Sequence, residues 1–430
     1  MIDVGDRAPR FFTPDVLRVP ADKSAVFSLG HNHGRGAGHT VTAVKGPELF
    51  DPGVFHWAYR WTPTQAGEYT YVCAVHPYMK GIIAVGQEPS AQQAVTGEGG
   101  GWPPNVTPAM GPPPTPGEGE IWIDLQWLEK SDRPAEPGAV VVDAATWQVK
   151  QILPFGNNPH NLFVSPDGRY VYQTSWHGDE VGVYDQQEQR WAQVLPVGSA
   201  PAHVAVRPDG QAYVTVNAED YLGVLDPRTF RVTRQIKFQH KGPHGIWMDR
   251  SGRWAVAALT VSDRAAIVDT TTDQVVAELR VGRLPPAASI KAAGTKAYVP
   301  AALGGSITVI DVPGRRVTKV LPDIGPLLIQ VPFTPDDRYA VQAVTGTGEV
   351  VILDAQTDEV IKRRRTHAGA HGVTFGRKQG GGWYAYVSHK FADILSIIDM
   401  DTLELAGELK LPASGGNGIH AIPNVWRDHQ

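Results

Sequence analysis

The chain has 430 residues, too many for one ordinary small domain, which predicts two domains. Hydrophobic residues make up 42% of it and charged residues 19%, a composition typical of globular proteins and not of disordered or membrane-embedded ones. The formal net charge is -5, and no basic run is interleaved with stacking aromatic residues, which argues against a nucleic-acid partner. Because no run of about 18 apolar residues occurs, no membrane span is predicted.

The start of the chain, Met-Ile-Asp-Val-Gly-Asp, lacks the basic segment and apolar core of a signal peptide. This fits either a cytoplasmic protein or the mature form of an exported one. The only cysteine is Cys73, so an internal disulfide is excluded and the thiol itself becomes a candidate functional group.

Residues 1–87 contain short stretches in which apolar and polar positions alternate between turn signals, around residues 16–19, 25–29, 40–44, 69–72 and 81–85. Short strands at this spacing predict a small all-β sandwich. Residues 88–118 are rich in Gly, Pro, Thr and Glu and can bury very little, so we interpret them as a linker. Roughly 30 flexible residues span about 30 Å on average.

Residues 119–430 contain a repeat in which a strand ends in aspartate. The seven aspartates are Asp143, Asp185, Asp226, Asp269, Asp311, Asp354 and Asp399, separated by 42, 41, 43, 42, 43 and 45 residues. A period near 40 with about four strands per unit predicts a β-propeller of seven blades. The stretch GEIWIDLQW at residues 119–127 precedes the first repeat and is expected to complete the last blade and close the ring. The repeat resembles the YVTN-type propellers.

The N-terminal region carries the motif Cys73-Ala-Val-His76-Pro-Tyr-Met79, with His39 upstream in Gly-His-Thr. A blue (type 1) copper site needs one thiolate, two imidazoles and a weak axial thioether. A Cys-x2-His-x2-Met loop after a strand supplies three of these ligands, and His39 supplies the fourth from a neighbouring strand. This stretch resembles the cupredoxins plastocyanin and especially amicyanin, and the resemblance implies one mononuclear copper bound by His39, Cys73, His76 and Met79.

Five histidines of the propeller recur near one phase of the repeat. Counted from the preceding aspartate, the offsets are 17, 18, 18, 17 and 21 for His160, His203, His244, His371 and His420. The matching positions in the fourth and fifth copies hold apolar residues around Ala287 and Ile329, with Gln330 adjacent. Since each histidine precedes an innermost strand, we expect the imidazoles to surround the central channel and hold a metal, with copper the best match.

A second set of residues falls in the loops between second and third strands, which should open on the same face. His177 and His389 are outer candidates for catalysis, and Glu219 and Asp263 are candidates for proton transfer or ligation, with Asp220 beside Glu219. Lys390 and Arg264 are candidates for holding an anion. An alternative for Lys390 and Arg264 is that both are solvated loop residues, and the phased histidines themselves can be structural, as in many YVTN-type propellers.

The pair of domains resembles nitrous oxide reductase, a seven-bladed propeller with a histidine-bound copper cluster joined to a cupredoxin. This chain differs from that family because its cupredoxin region comes first, has one cysteine and so cannot form a binuclear centre, and is followed by five phased histidines. Nitrous oxide as the substrate is therefore in doubt. The chain also resembles thiocyanate dehydrogenase in its architecture. Because propeller nitrite reductases bind d-type haem, haem is an alternative cofactor.

These observations predict a periplasmic or extracellular copper oxidoreductase in its mature form. Its type 1 copper would exchange electrons with a histidine-bound centre in the propeller, and its substrate would be a small inorganic nitrogen or sulfur compound. An electron-transfer protein is the expected partner, and the long linker permits a homodimer that shares electrons. The alternatives are a blue-copper electron carrier or copper-handling protein with a scaffold propeller, and a protein that binds d-type haem.

Overall fold

The computed structural model of the chain describes residues 2–4, 12–13, 16–21, 23–29, 40–48, 58–73, 80–86, 110–126, 137–156 and 158–424. The chain divides into two compact units, residues 1–104 and 105–430. Strands account for the regular structure of the described residues, apart from one 3-10 turn at Thr260–Ser262, and the all-β prediction is confirmed. In the described part of the chain no helix has the length and apolar character to cross a membrane.

The N-terminal unit is a sandwich of two four-stranded sheets, in the orders β2-β1-β4-β6 and β3-β8-β7-β5. Within each sheet one pair is parallel, β1 with β4 and β3 with β8. The strands are β1 (Ile2–Val4), β2 (Phe12–Thr13), β3 (Val16–Val19), β4 (Ala25–Leu29), β5 (Thr42–Lys45), β6 (Ala58–Trp61), β7 (Gly67–Val72) and β8 (Lys80–Val85).

The two sheets of this unit enclose one apolar core. Tyr69 and Tyr71 on β7 are fully buried because alternate side chains of a strand face the same side. They pack with Phe27 and Trp61 of the other sheet, at ring-centroid distances of 5.3 Å for Phe27–Tyr71 and 4.8 Å for Trp61–Tyr69. Cys73 follows β7 directly and is also fully buried, so its thiol lies at the end of this core.

The second unit is a seven-bladed propeller, as the repeat predicts. Blade 1 contains strands from both ends of this unit, and the other blades follow in chain order. The strands of blades 1 to 3 are β9 (Glu120–Leu125), β10 (Gly138–Asp143) and β11 (Gln148–Pro154), then β12 (Pro159–Val164), β13 (Tyr170–Ser175), β14 (Glu180–Asp185) and β15 (Arg190–Pro196), then β16 (Pro201–Val206), β17 (Ala212–Val216), β18 (Tyr221–Leu225) and β19 (Val232–Lys237).

Blades 4 to 7 complete the ring. Their strands are β20 (Pro243–Met248), β21 (Trp254–Leu259), β22 (Arg264–Asp269) and β23 (Gln274–Arg280), then β24 (Ser289–Ile290), β25 (Lys296–Pro300), β26 (Ile307–Asp311) and β27 (Arg316–Leu321), then β28 (Tyr339–Val344), β29 (Glu349–Asp354) and β30 (Val360–Arg365), then β31 (Ala370–Arg377), β32 (Trp383–His389), β33 (Ile394–Asp399) and β34 (Glu404–Lys410), with β35 (Gly416–Ile422) returning to blade 1. In blade 6 the innermost segment joins the sheet through the bridges Leu328–Val344 and Phe333–Ala340.

The recurring aspartate has a local role in each blade. In blade 1, Asp143 Oδ1 accepts hydrogen bonds from the backbone N–H groups of Ala145 and Thr146, both at 2.9 Å. The same arrangement recurs at Asp226, where the distances are 3.0 and 2.8 Å. An aspartate that bonds to the backbone two residues later stabilises a tight turn, so the repeat marks the turn between third and fourth strands.

Blade 1 closes the ring. Strand β9 pairs with β10 on one side and with the C-terminal β35 on the other. Residues 120–125 of the stretch that precedes the first repeat are therefore paired with β35, and both ends of the described propeller are held in one sheet. Closure of this kind satisfies strand edges that would otherwise be exposed.

Residues 110–118, which the sequence places in the linker, lie along the outer part of the propeller. The backbone N–H of Met110 donates to Glu408 Oε2 at 3.1 Å, and the hydroxyl of Tyr384 donates to the carbonyl oxygen of Thr115 at 2.9 Å. Gly117 N–H donates to the carbonyl oxygen of Ala144 at 2.8 Å. These bonds attach the end of the segment to blades 7 and 1.

Candidate metal centre

The inner strands of five blades each contain a bulge near their first residue. In β20, Pro243 pairs with Leu259 and the regular register resumes only at Ile246, and β12, β16, β31 and β35 show the same shift. A bulge re-aims the side chains that it contains. His160, His203, His244 and His371 lie within these bulges, so the backbone directs each imidazole away from the regular alternation of its strand.

Hydroxyl side chains link the bulges of blades 2, 3 and 7 to the next blade. Thr215 Oγ1 accepts a hydrogen bond from His203 N–H at 2.9 Å and donates to the carbonyl oxygen of His244 at 2.5 Å. Thr174 connects blades 2 and 3 in the same way, and Ser388 connects blades 7 and 1. The relative positions of histidines on neighbouring blades are therefore set by buried hydroxyl groups that each bridge the backbones of two blades.

Three histidines converge on one point. The nearest ring nitrogens of His160, His203 and His244 all lie within 4.8 Å of one another. The Nε2 atoms of His160 and His244 are 3.0 Å apart, and the ring centroid of His203 is 5.5 Å from that of His160 and 5.1 Å from that of His244. Trp176 covers the group, with its ring centroid 4.1 Å from that of His160. We call these three residues the histidine triad.

Burial keeps the triad neutral at physiological pH. The three side chains are 5%, 7% and 9% exposed, so a charged imidazolium would lose nearly all its hydration. Burial lowers the pKa of His244 to about 4 and lowers the pKa values of His160 and His203 well below their ordinary value. Neutral imidazoles are the form that binds metals.

Hydrogen bonds determine which nitrogen of His244 carries the proton. The Nδ1 atom of His244 lies 2.6 Å from the carbonyl oxygen of Pro286, which can only accept, so Nδ1 is protonated and Nε2 presents its lone pair. His160 Nε2 then donates to His244 Nε2, while His160 Nδ1 lies 2.8 Å from the side-chain amide of Asn417. A carbonyl that fixes the tautomer through the far nitrogen is the usual support of a metal-binding histidine.

His371, from blade 7, lies close enough to His203 and His244 to interact with them electrostatically. It is 8% exposed, and burial lowers its pKa, as does the proximity of Lys390, His203 and His244, which disfavours a second positive charge. Lys390 is 3% exposed and Asp124 is fully buried, and burial lowers the pKa of Lys390 and raises that of Asp124, favouring the neutral form of each. Gln173 donates to Asp124 Oδ1.

His420 is not placed with the triad. The residue that occupies the bulge of β35 is Asn417, and His420 lies three residues further along that strand, roughly 10 Å at the usual rise per residue. Its imidazole packs against Phe163, with centroids 4.8 Å apart. Sequence reasoning missed Asn417, although its offset of 18 from Asp399 matches the phase of the other histidines.

The four residues predicted in the outer loops have different surroundings. His177 is exposed, and its Nε2 atom lies 3.0 Å from the amide of Asn158. Glu219 is exposed, and Asp263 accepts a hydrogen bond from Leu284 N–H at 2.8 Å, so it supports a backbone turn. His389 is fully buried: its Nδ1 lies 2.9 Å from the carbonyl oxygen of Ile394, and its Nε2 accepts from His367 N–H at 3.2 Å.

The predicted copper site of the N-terminal unit falls partly outside the described residues, which exclude His39, His76 and Met79. Cys73 is described, and its sulfur accepts a hydrogen bond from the backbone N–H of Thr40 at 3.4 Å. The register Thr42–Val72 between β5 and β7 brings these two segments together. His39 directly precedes Thr40 in the sequence.

A family model described as YNCE-like β-propeller matches residues 179–428, which are 250 of the 430 residues. The chain belongs to the YNCE-like β-propeller family. A comparison of this YNCE-like protein with curated protein sequences found no match.

Among solved structures, the chain is similar to hydrazine synthase from Kuenenia stuttgartiensis, with 21% identity and a TM-score of 0.56 over 61% of this chain and 89% of that one. It also matches a functionally unknown protein from Desulfotomaculum acetoxidans DSM 771, with 11% identity and a TM-score of 0.48 over 57% and 87% of the two chains. At this identity, the similarity to hydrazine synthase shows a common fold.

Proposed function

We propose that this protein is a copper oxidoreductase in which a type 1 copper in the N-terminal unit exchanges electrons with a copper held by the histidine triad of the propeller. The observation that carries the proposal is the convergence of three buried, neutral imidazoles from consecutive blades on one point. The protein would be periplasmic or extracellular, and its substrate a small inorganic nitrogen or sulfur compound.

The donor set of the triad fits copper. Imidazole nitrogens suit copper, zinc and iron, and a set with no carboxylate does not suit magnesium, calcium or manganese. His160, His203 and His244 would hold the ion through one nitrogen each, and the bond from His244 Nδ1 to Pro286 already directs Nε2 towards it. A bound copper would supply one-electron redox chemistry and polarise a small ligand, while the buried walls exclude bulk water.

The N-terminal site is supported by the surroundings of Cys73. A fully buried thiol that accepts a backbone N–H bond is a suitable thiolate ligand, because hydrogen bonds to the sulfur and an apolar environment tune the potential of a blue-copper site. His39, His76 and Met79 complete the proposed ligand set by their resemblance to the amicyanin loop. The fold of the unit, two sheets of four strands, is compatible with a cupredoxin.

The second candidate function is an electron carrier or copper-handling protein with a scaffold propeller. Its supporting observation is that His160 and His244 hydrogen-bond to each other, so two triad members have partners without any ion. A d-type haem fits less well, since an iron porphyrin takes axial ligands one on each face, whereas the triad directs three nitrogens to one point.

The substrate class comes from the resemblance to copper propeller enzymes. The solved structure named hydrazine synthase, whose name refers to a nitrogen compound, is similar in fold to this chain. That similarity is compatible with a nitrogen compound as the substrate.

The test is the copper content and EPR spectrum of the copper-loaded full chain. We expect two coppers per chain, one with an intense thiolate band and one with imidazole coupling only. His203→Ala should lose the second copper and keep the blue one, and Cys73→Ser should do the reverse. His240→Ala is the matched control, because His240 is 38% exposed and pairs with Glu278 instead of facing the triad. One copper in the unaltered chain, or two in His203→Ala, would reject the proposal in favour of the carrier.

A further inference from the structure

The ring of polar residues around the channel is interrupted on one side. Blades 2, 3, 4 and 7 contribute histidine and blade 1 contributes Asn417, whereas blades 5 and 6 contribute Ala287 and Ile329, each 18 residues after its repeat aspartate. The bridge between Leu328 and Val344 in blade 6 corresponds to the pair Pro243–Leu259 in blade 4, which places Ile329 at the position of His244. Ala287 and Ile329 are both 6% exposed, as buried as the histidines.

The interruption begins directly beside the triad. The carbonyl oxygen that holds His244 belongs to Pro286, the residue before Ala287. A Cβ atom at Gly245 would approach the Cα atom of Ala287 to 2.5 Å, so the backbones of blades 4 and 5 touch at this point. The side chain next to His244 on this side is therefore the methyl group of Ala287, at the position where a fourth histidine would continue the ring.

On its far side the interruption is bounded by His371. The Nδ1 atom of this residue is buried and makes no hydrogen bond of ordinary geometry among the described residues, although the nearby backbone of Asn417 acts to raise the pKa of the imidazole. A buried polar atom without a partner costs about 1–3 kcal/mol, so a ligand that supplies one would recover that energy. Lys390 lies close enough to His160 and His371 to affect both electrostatically.

The triad residues come from blades 2, 3 and 4, so a metal that they held would have no protein ligand from blades 5 and 6. A metal site with three protein ligands keeps its fourth position for water or substrate. The triad contains no carboxylate, so the charge of a bound copper is not neutralised by its ligands, and an anion is the favoured exogenous ligand.

We propose that the gap lined by Ala287, Ile329 and His371 receives a small inorganic anion that binds the triad copper at its open position and accepts a hydrogen bond from His371. This inference rests on the proposed function, since it needs copper at the triad. Every residue that borders the gap is more than nine-tenths buried, so a large ligand could reach the copper only by displacing these side chains.

The probe is sodium azide, added to the copper-loaded full chain carrying Cys73→Ser so that the triad holds the copper that is observed. Binding is followed by the azide-to-copper charge-transfer band and by EPR. We expect saturable binding. Ala287→His and Ile329→His should each retain copper and lose azide binding, because the new imidazole fills the gap. His371→Leu should weaken azide binding roughly tenfold to a hundredfold, through loss of a hydrogen bond to a charged group.

The matched control is Val194→His, which adds an imidazole at a 55% exposed position on β15 and should leave azide affinity unchanged. Ile329→Ala provides a variant without added bulk and should admit azide at least as tightly. If both gap-filling variants and His371→Leu bind copper and azide like the parent, the inference is wrong while the copper site stands. If the Cys73→Ser chain binds no copper, the proposed function itself fails.

Discussion

The histidine triad and His389 are all buried histidines of the same propeller, but their ring nitrogens have different partners. In the triad, His160 and His244 direct Nε2 atoms at each other, 3.0 Å apart. At His389, both nitrogens bond to backbone groups, those of Ile394 and His367. A histidine whose two nitrogens already satisfy backbone groups stabilises the fold and cannot ligate a metal without breaking a bond. Burial alone therefore does not separate ligands from structural histidines.

The largest expected effect is the loss of stability in His389→Leu. The substitution leaves two buried backbone groups, the His367 N–H and the Ile394 carbonyl, without partners, at about 1–3 kcal/mol each. We expect the free energy of unfolding of the propeller to fall by about 2–6 kcal/mol in urea denaturation followed by tryptophan fluorescence. His389→Gln, which can donate and accept, should recover part of this. Unchanged stability together with a loss of copper would instead make His389 a ligand.

The next effect is a dependence of stability on pH that originates in the triad. The pKa of His244 is about 4 in the folded protein, below its ordinary value of 6.5, so the unfolded chain takes up the proton first. The neutral His244 therefore contributes its full stabilisation above about pH 6.5. This stabilisation is lost as the pH falls towards 4, and the loss reaches about 3 kcal/mol.

His244→Phe should remove this part of the pH dependence. The urea midpoint of the parent should fall between pH 7 and pH 4.5 by more than that of the variant. The metal-free chain is used for both, because a bound ion would compete with the proton. Parallel curves for parent and variant would show that His244 is accessible to protons in the folded state.

The smallest effect concerns Asn417, the neighbour of His160 Nδ1. The amide nitrogen of Asn417 lies 2.8 Å from His160 Nδ1. Copper at His160 Nε2 would require the proton on Nδ1, and the Asn417 amide would then have to turn its oxygen towards this atom to accept it; removing such an outer partner costs about 10–100-fold in metal affinity. Asn417→Leu should weaken copper binding by this factor in chelator competition, and Asn417→Asp, which keeps an acceptor, should weaken it less. His420→Phe is the control: it keeps a ring against Phe163 and should bind copper like the parent. Equal affinity in Asn417→Leu would show that Asn417 serves the fold.

Much of this organisation is readable from the residues alone. The recurring aspartate predicts seven blades because each unit needs the same turn between its third and fourth strands, and the hydrogen bonds at Asp143 and Asp226 show that turn. The phase of His160, His203 and His244 predicts their approach, because equivalent positions of a propeller surround one axis. The position of His420 could not be read in this way, since an offset of 21 looks similar to 18 in sequence but lies on another level of the strand.

The all-β architecture, the seven-fold repeat and the inventory of donors follow from the residues, because these depend on period and residue type. Which donors meet follows from the packing of the blades. His389 and His244 both direct Nδ1 at a carbonyl oxygen, and what separates them is the partner of Nε2, which is the backbone N–H of His367 for His389 and the imidazole of His160 for His244. The bulges of the inner strands, and the hydroxyl bridges from Thr174, Thr215 and Ser388, set the direction of each imidazole. The direction of each imidazole therefore depends on backbone groups of neighbouring blades. Every residue type has the same backbone groups, so residue identity does not predict these bonds.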